Sequence, residues 1–165
     1  VLGATVSGRP PAIPGAEQMI GLFINTLPVR VRIDEALPVG AWLQALQAQQ
    51  AELRQFEHSP LVQVQGWSEL PRGTPLFESL LVFENFPVGS VASGDGPLRV
   101  EDVRSAEIAN STYPLTLVAE PGEGLRLRLV HDLERIDPAA AARMVGHLAT
   151  LLDAMAADPA RPLGA

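Results

Sequence analysis

The sequence contains no cysteine and no lysine, so all twelve of its basic residues are arginines. The absence of cysteine excludes disulfides, thiolate catalysis and cysteine-ligated metals, and it fits the reducing cytoplasm in which we place the protein. No apolar run approaches the roughly 18 residues that a membrane span needs, so no membrane partner is expected. A net charge of −7 without a basic cluster also argues against a nucleic-acid partner.

The sequence is equally poor in residues arranged for chemistry. Its histidines, His58, His131 and His147, are far apart, so no metal site is expected. His131 precedes Asp132 at a predicted strand end, where adjacent side chains point to opposite faces and cannot form a base and its orienting carboxylate. His58 follows a predicted helix and resembles a helix stop signal. Serine-nucleophile and phosphate-loop motifs are also absent, so no self-sufficient catalytic set is present.

The apolar pattern predicts an α+β fold in one globular unit. Hydrophobic residues make up 47% of the chain and charged residues 19%, which is typical of a globular protein. Alternation and turn residues predict strands at 1–6, 26–33, 77–86, 98–108, 113–119 and 125–131, the last two forming a hairpin. Helical spacing predicts helices at 16–23, 38–57, 61–67 and from Asp137 to a stop near Asp158. The order does not alternate strictly, so we expect a mixed sheet with flanking helices.

Several segments then match a known family in order and spacing. The most specific is residues 20–30, IGLFINTLPVR, preceded by SGR at 7–9. FEHSPL at 56–61, QGWS at 65–68, LFESLLVFEN at 76–85 and YPL at 113–115 follow in the same order. Together they resemble the later core motifs of condensation domains from nonribosomal peptide synthetases.

The resemblance implies a fold and an activity. Such domains have two lobes, each similar to chloramphenicol acetyltransferase, with a tunnel between them. In that tunnel a donor thioester and an acceptor amine form an amide bond. The catalytic histidine of the family lies in an earlier H-H-x-x-x-D-G motif, and this chain has no two adjacent histidines. We therefore expect residues 1–165 to be the C-terminal portion of a condensation domain, a single lobe without the N-terminal lobe, inactive alone. The apolar start without methionine also suggests a fragment.

The resemblance also implies partners and a setting. Substrates would arrive on the phosphopantetheine arms of peptidyl or acyl carrier proteins, with no cofactor bound directly by this chain. The other expected partners are the N-terminal lobe, which would cover an apolar surface, and an adjacent adenylation domain. The setting would be the biosynthesis of a peptide natural product such as an antibiotic.

The first candidate site residues come from the motif at residues 20–30. The resemblance implies that Asn25 lies beside the reacting groups, since its amide can both donate and accept hydrogen bonds. The alternative is that Asn25 satisfies local backbone groups at a loop-to-strand junction. The resemblance also implies that Thr26 forms part of the tunnel wall beside Asn25. Arg30 would face the tunnel with its charge near the acceptor or a pantetheine, or would be an exposed strand arginine.

Two further segments complete the candidate set. Ser7, Gly8 and Arg9 would form the tunnel floor or an arm-binding loop, or else a plain turn. Glu84 and Asn85 lie on the predicted apolar strand at 77–86, where a buried carboxylate needs a partner. The residues around them depart from the pattern of heterocyclising relatives, which argues against cyclisation.

Other functions remain open from the sequence. A lobe without the histidine would also suit a non-catalytic module that docks carrier proteins or neighbouring domains. The same fold would also suit ester formation or epimerisation, although the stretch from Asn25 to Pro28 favours condensation over epimerisation within the family.

Overall fold

The computed structural model describes residues 1–9, 13–84 and 112–165. The strands are β1 (Leu2–Val6), β2 (Asn25–Val29), β3 (Ser79–Phe83), β4 (Leu115–Pro121) and β5 (Leu125–His131). The helices are α1 (Val39–Leu53), α2 (Leu61–Gly66) and α3 (Pro138–Ala157), with 3₁₀ turns at Ala16–Gln18 and Arg54–Phe56.

The strands form one five-stranded mixed sheet in the order β2-β1-β3-β4-β5. The central pairs β1–β3 and β3–β4 are parallel, whereas the outer pairs β1–β2 and β4–β5 are antiparallel. This arrangement confirms the predicted α+β class, the central position of β3 and the β4–β5 hairpin. The predicted strand at 98–108 lies outside the described residues.

The strand predicted at 26–33 is shorter in the structure. It runs along an edge of the sheet, where the missing N–H of Pro28 disturbs the ladder least. β2 ends at Val29 because backbone carbonyls in the segment after it accept hydrogen bonds from side chains of α1. Gln49 Nε2 donates to the oxygen of Arg30 at 2.9 Å, and Trp42 Nε1 donates to that of Arg32 at 2.8 Å.

The helix predicted at 16–23 is wrong beyond its first turn. Only the 3₁₀ turn Ala16–Gln18 forms, and Met19 already has extended backbone angles. The guanidinium of Arg9 donates to the carbonyls of Ala16 and Met19. In an α-helix the carbonyl of Ala16 would accept a bond from the residue four positions later, so a distant side chain replaces the helical partner here.

The core lies between one face of the sheet and α3. Directly opposed strand residues share a face, and the register places Leu81, Leu117 and Leu129 together. An apolar cavity of about 250 Å³ separates this face from Met144 and Val145 of α3. In the described part of the chain no large side chain is completely buried, so much apolar surface remains open.

Helix α3 begins at the N-cap predicted from the sequence. The Asp137 carboxylate accepts a hydrogen bond from the backbone N–H of Ala140 at 3.0 Å, and Pro138 occupies the first turn. We expect Asp137→Ala to lower the free energy of unfolding by about 1 kcal/mol, since one helical N–H loses its acceptor. Urea unfolding checks this. Asp137→Ser should retain most of the stability, and equal losses for both variants would contradict the capping role.

The segment after α3 returns to the start of α1. The backbone N–H groups of Val39 and Gly40 donate to the carbonyls of Arg161 and Pro159 at 2.9 and 2.8 Å. In the opposite direction, Leu163 N–H donates to the carbonyl of Leu37 at 3.0 Å. The first turn of α1 is therefore satisfied by backbone from the other end of the chain instead of by a capping side chain.

Candidate functional site

Most of the predicted site residues meet at one end of the sheet. Asn25 opens β2 opposite Val6, the last residue of β1. Because β1 and β3 are parallel, the end of β3 lies at the same end of the sheet, and Glu84 follows it directly. We call this the Asn25 end; it also holds Ser7, Gly8, Arg9 and Thr26.

Two predicted site residues do not join this group. Arg30 follows the last residue of β2, which lies opposite Leu2, so it is at the other end of the sheet. It is exposed, as in the alternative that treats it as a surface arginine. Asn85 lies outside the described residues.

Gly8 occupies a position that only glycine suits. Its φ is +62°, in the left-handed region, and a Cβ added to it would lie 1.9 Å from the carbonyl oxygen of Phe23. The loop after β1 therefore packs backbone against backbone on the segment that leads into β2. This contact fixes the path of residues 20–25.

Arg9 ties the same loop together by its side chain. Its guanidinium lies 4.4 Å from the centre of the Phe23 ring, a cation–π contact. Its Nη1 donates to the carbonyl of Met19 at 3.0 Å, in addition to that of Ala16. Arg9 therefore holds this loop together by binding the carbonyls of Ala16 and Met19 and the ring of Phe23 at once.

The amide of Asn25 joins two distant parts of the chain. Its Nδ2 donates to the carbonyls of Glu57 and Ser59, both at 2.8 Å, and its Oδ1 accepts from the backbone N–H of Thr26 at 2.9 Å. The start of β2 is thereby attached to the turn between the 3₁₀ turn Arg54–Phe56 and α2. Only the bond from Thr26 N–H is local, as in the alternative for Asn25, whereas the bonds to Glu57 and Ser59 reach residues 32 and 34 positions away.

Charged groups also line the Asn25 end. Glu84 lies just past β3, half-buried, and its backbone N–H donates to the carbonyl of Ala119 at 2.9 Å. In the neighbouring hairpin, Glu120 pairs with Arg126 and Arg128, each at 3.5 Å. These partly exposed pairs add little stability, but they balance charge beside the candidate residues.

The opposite end of the sheet contains a cavity of about 600 Å³. It is lined by the stacked rings of Phe77 and Tyr113, whose centres are 5.3 Å apart, and by the ion pair of Glu78 with Arg135 at 2.9 Å. His131 also lines it, and its buried Nδ1 has no hydrogen-bond partner among residues 1–9, 13–84 and 112–165. Sequence reasoning treated His131 only as part of a dyad with Asp132.

Within residues 1–9, 13–84 and 112–165, no group of three or more His, Cys, Asp or Glu side chains is placed to hold a metal ion. Over the same ranges, none of the helices is long and apolar enough to cross a membrane.

Sequence reasoning missed the contacts that organise the Asn25 end. It gave no role to Phe23, whose ring and carbonyl fix Arg9 and Gly8. It also treated His58 as a helix stop, whereas the flanking carbonyls of Glu57 and Ser59 are the ones that Asn25 binds. No local pattern signals bonds between residues 32 and 34 positions apart.

Comparison with known proteins places the chain in a family. The family model described as "Condensation domain" matches residues 1–165. One of the linear gramicidin synthase subunits of Brevibacillus parabrevis is 49% identical over 164 residues, which are 99% of this chain and 3% of that protein. Chondramide synthase of Chondromyces crocatus is 40% identical over 159 residues, which are 96% of this chain and 4% of that protein.

Solved structures share the fold at lower identity. A structure described as "The crystal structure of CT" aligns with a TM-score of 0.81 at 22% identity, over 98% of this chain and 37% of that one. The starter condensation domain of rhizomide synthetase aligns with a TM-score of 0.70 at 18% identity, over 99% of this chain and 37% of that one. The sheet, the ordered motifs and the family match agree, and the chain belongs to the condensation-domain family of nonribosomal peptide synthetases.

Proposed function

We propose that this chain forms part of the acceptor-side lobe of a condensation domain that joins a carrier-bound donor thioester to a carrier-bound acceptor amine. The acceptor nitrogen attacks the thioester carbonyl, the C–N bond forms, the C–S bond breaks, and the thiolate of the donor arm leaves and takes up a proton. The observation that carries the proposal is the convergence of Gly8, Arg9, Asn25 and Glu84 at one end of the sheet.

The role of this chain in that reaction is to position substrates. Amide formation needs an amine held against the carbonyl and a group that handles the proton. The loop fixed by Gly8 and Arg9, and the turn fixed by Asn25, are rigid elements suited to form a tunnel wall. The proton-handling imidazole would belong to an H-H-x-x-x-D-G motif outside residues 1–165. We propose that these residues constitute the C-terminal portion of the domain.

The proposed partners follow from the surface and from the relatives. Ile20 and Leu22, at the Asn25 end, are 105% and 91% exposed, and exposed apolar residues in a fixed loop favour contact with another protein surface. We propose the N-terminal lobe as that partner. Carrier proteins with phosphopantetheine arms and an adenylation domain would act with it. The product would be a peptide natural product, and the setting would be cytoplasmic.

A reconstitution experiment tests the proposed function. A synthetase that contains this chain, loaded with donor and acceptor on their carriers, should form the dipeptidyl thioester detected by mass spectrometry. Residues 1–165 alone should form none, because they contain no two adjacent histidines. Product from residues 1–165 alone would contradict the assignment of the catalytic group. A synthetase that binds carriers without forming product would favour the docking module, and an ester or an epimerised product would favour those reactions.

A further inference from the structure

The Asn25 amide is not free to donate a hydrogen bond to a substrate. It has two N–H hydrogens, and they have acceptors at 2.8 Å in the carbonyls of Glu57 and Ser59. Its oxygen already accepts from Thr26 N–H at 2.9 Å. A side chain that donates to bound substrate at the Asn25 end must therefore belong to another residue.

The two carbonyls that Asn25 binds lie on either side of His58. The same turn is closed by a hydrogen bond from Ser59 N–H to the carbonyl of Phe56 at 2.8 Å. Pro60 follows with fixed φ and restricts the residue before it. The backbone around His58 is thus held at several points, while the side chain of His58 is exposed. The turn therefore fixes the point on the backbone from which the exposed imidazole projects.

We propose that Asn25 is a positioning residue for the Glu57–Ser59 turn, and that the His58 imidazole presented by this turn hydrogen-bonds the pantetheine arm of the acceptor. This inference rests on the proposed function. A neutral imidazole has one donor and one acceptor nitrogen, and the arm offers amide N–H and C=O groups to both. One imidazole can bond one amide of a narrow, extended ligand, whereas a carrier-protein surface would require a patch of many residues.

Steady-state kinetics of a synthetase containing this chain tests the inference. We expect His58→Ala to raise KM for the carrier-bound acceptor about fivefold, which is the usual loss of affinity when one hydrogen bond is removed. It should leave kcat within about twofold, because binding is lost without loss of the reacting groups. His58→Gln, which keeps a donor and an acceptor, should recover part of the affinity.

A double-mutant cycle separates positioning from an independent role. Asn25→Ala should raise KM by a similar factor, and the double variant should match the single His58→Ala variant within about twofold, because the two residues act as one unit. If the double variant instead raises KM about 25-fold, which is the product of two fivefold effects, the two residues act independently and the positioning role is overturned. If Asn25→Ala does not fold, His58→Ala alone decides, since His58 is exposed.

Acceptors of different length identify what His58 contacts. With the acceptor amino acid as a free pantetheine thioester, the KM defect of His58→Ala should persist. The short N-acetylcysteamine thioester keeps only the amide next to the thioester. Agreement between the variant and the parent with this acceptor would place the contact on the outer part of the arm, and a persisting defect would place it on that inner amide. A defect seen only with the intact carrier protein would overturn the proposal in favour of a carrier-surface contact, and an unchanged KM with every acceptor would overturn it outright.

Gln49→Ala is the matched control. Gln49 also attaches a helical segment to the β2 region by donating to a backbone carbonyl, that of Arg30 at 2.9 Å, but at the opposite end of the sheet. It should leave KM unchanged, and an equal rise would reduce the Asn25 effect to general destabilisation. If the parent synthetase forms no product with any acceptor, the proposed function fails, and this inference falls with it. If the parent is active and His58→Ala matches it, only this inference fails.

Discussion

Gly8→Ala is expected to lower the free energy of unfolding by about 3 kcal/mol and, on the proposed function, to remove most of the condensation activity of a synthetase that contains this chain. The left-handed conformation at φ +62° costs a residue with a Cβ about 1 kcal/mol. The new Cβ would also lie 1.9 Å from the carbonyl oxygen of Phe23, so one backbone segment must shift at an expected further cost of about 2 kcal/mol. Urea unfolding and the dipeptide assay measure the two effects.

Gly15 supplies the control for Gly8. It has φ +78°, also left-handed, but a Cβ there would meet no atom of the described residues within 4 Å. Gly15→Ala should therefore cost only the conformational part, about 1 kcal/mol, and leave activity intact. Equal losses at both glycines would show that the approach of Phe23 to Gly8 contributes nothing.

Phe77→Ala should destabilise the domain by about 3–5 kcal/mol, the usual loss for a buried phenylalanine. Phe77 is 6% exposed and stacks on Tyr113 with ring centres 5.3 Å apart. Its ring also occupies the space that a side chain at Gly3 would need, because a Cβ there would lie 2.3 Å from Cε2. Removal of the ring leaves a void between β1 and the residues before β3 and β4.

Phe56 is the comparison residue for Phe77. It is 58% exposed, so Phe56→Ala should change the free energy of unfolding by no more than about 0.5 kcal/mol. Urea unfolding followed by circular dichroism measures both variants. A loss at Phe56 as large as that at Phe77 would mean that the described core is not the one that stabilises the domain.

Features governed by neighbouring residues could be predicted from the sequence. The β4–β5 hairpin follows from alternation on both sides of a glycine-rich turn, and the start of α3 follows from Asp137 beside Pro138. The family resemblance added the candidate residues at the Asn25 end. The resemblance identified these residues but not their contacts, because a sequence motif does not show which hydrogen bonds an amide side chain makes.

Features governed by distant residues could not be predicted. The predicted helix at 16–23 is replaced by a loop because Arg9 takes the carbonyl of Ala16. Likewise, Asn25 finds its acceptors in Glu57 and Ser59, beyond an intervening helix. Helix propensity and periodicity describe only neighbours along the chain, so they carry no information on such tertiary bonds.

The return of residues 159–164 to the start of α1 bears on how synthetases are recombined. When downstream domains are exchanged between synthetases, the two sequences must be joined at a chosen residue. The end of α3 at Ala157 would be an obvious choice because a helix ends there. A junction at that point would replace Pro159 and Arg161, whose carbonyls accept hydrogen bonds from the first N–H groups of α1. A junction beyond Gly164, whose N–H donates to the carbonyl of Glu35, keeps the whole returning segment in the same protein as the helix that depends on it.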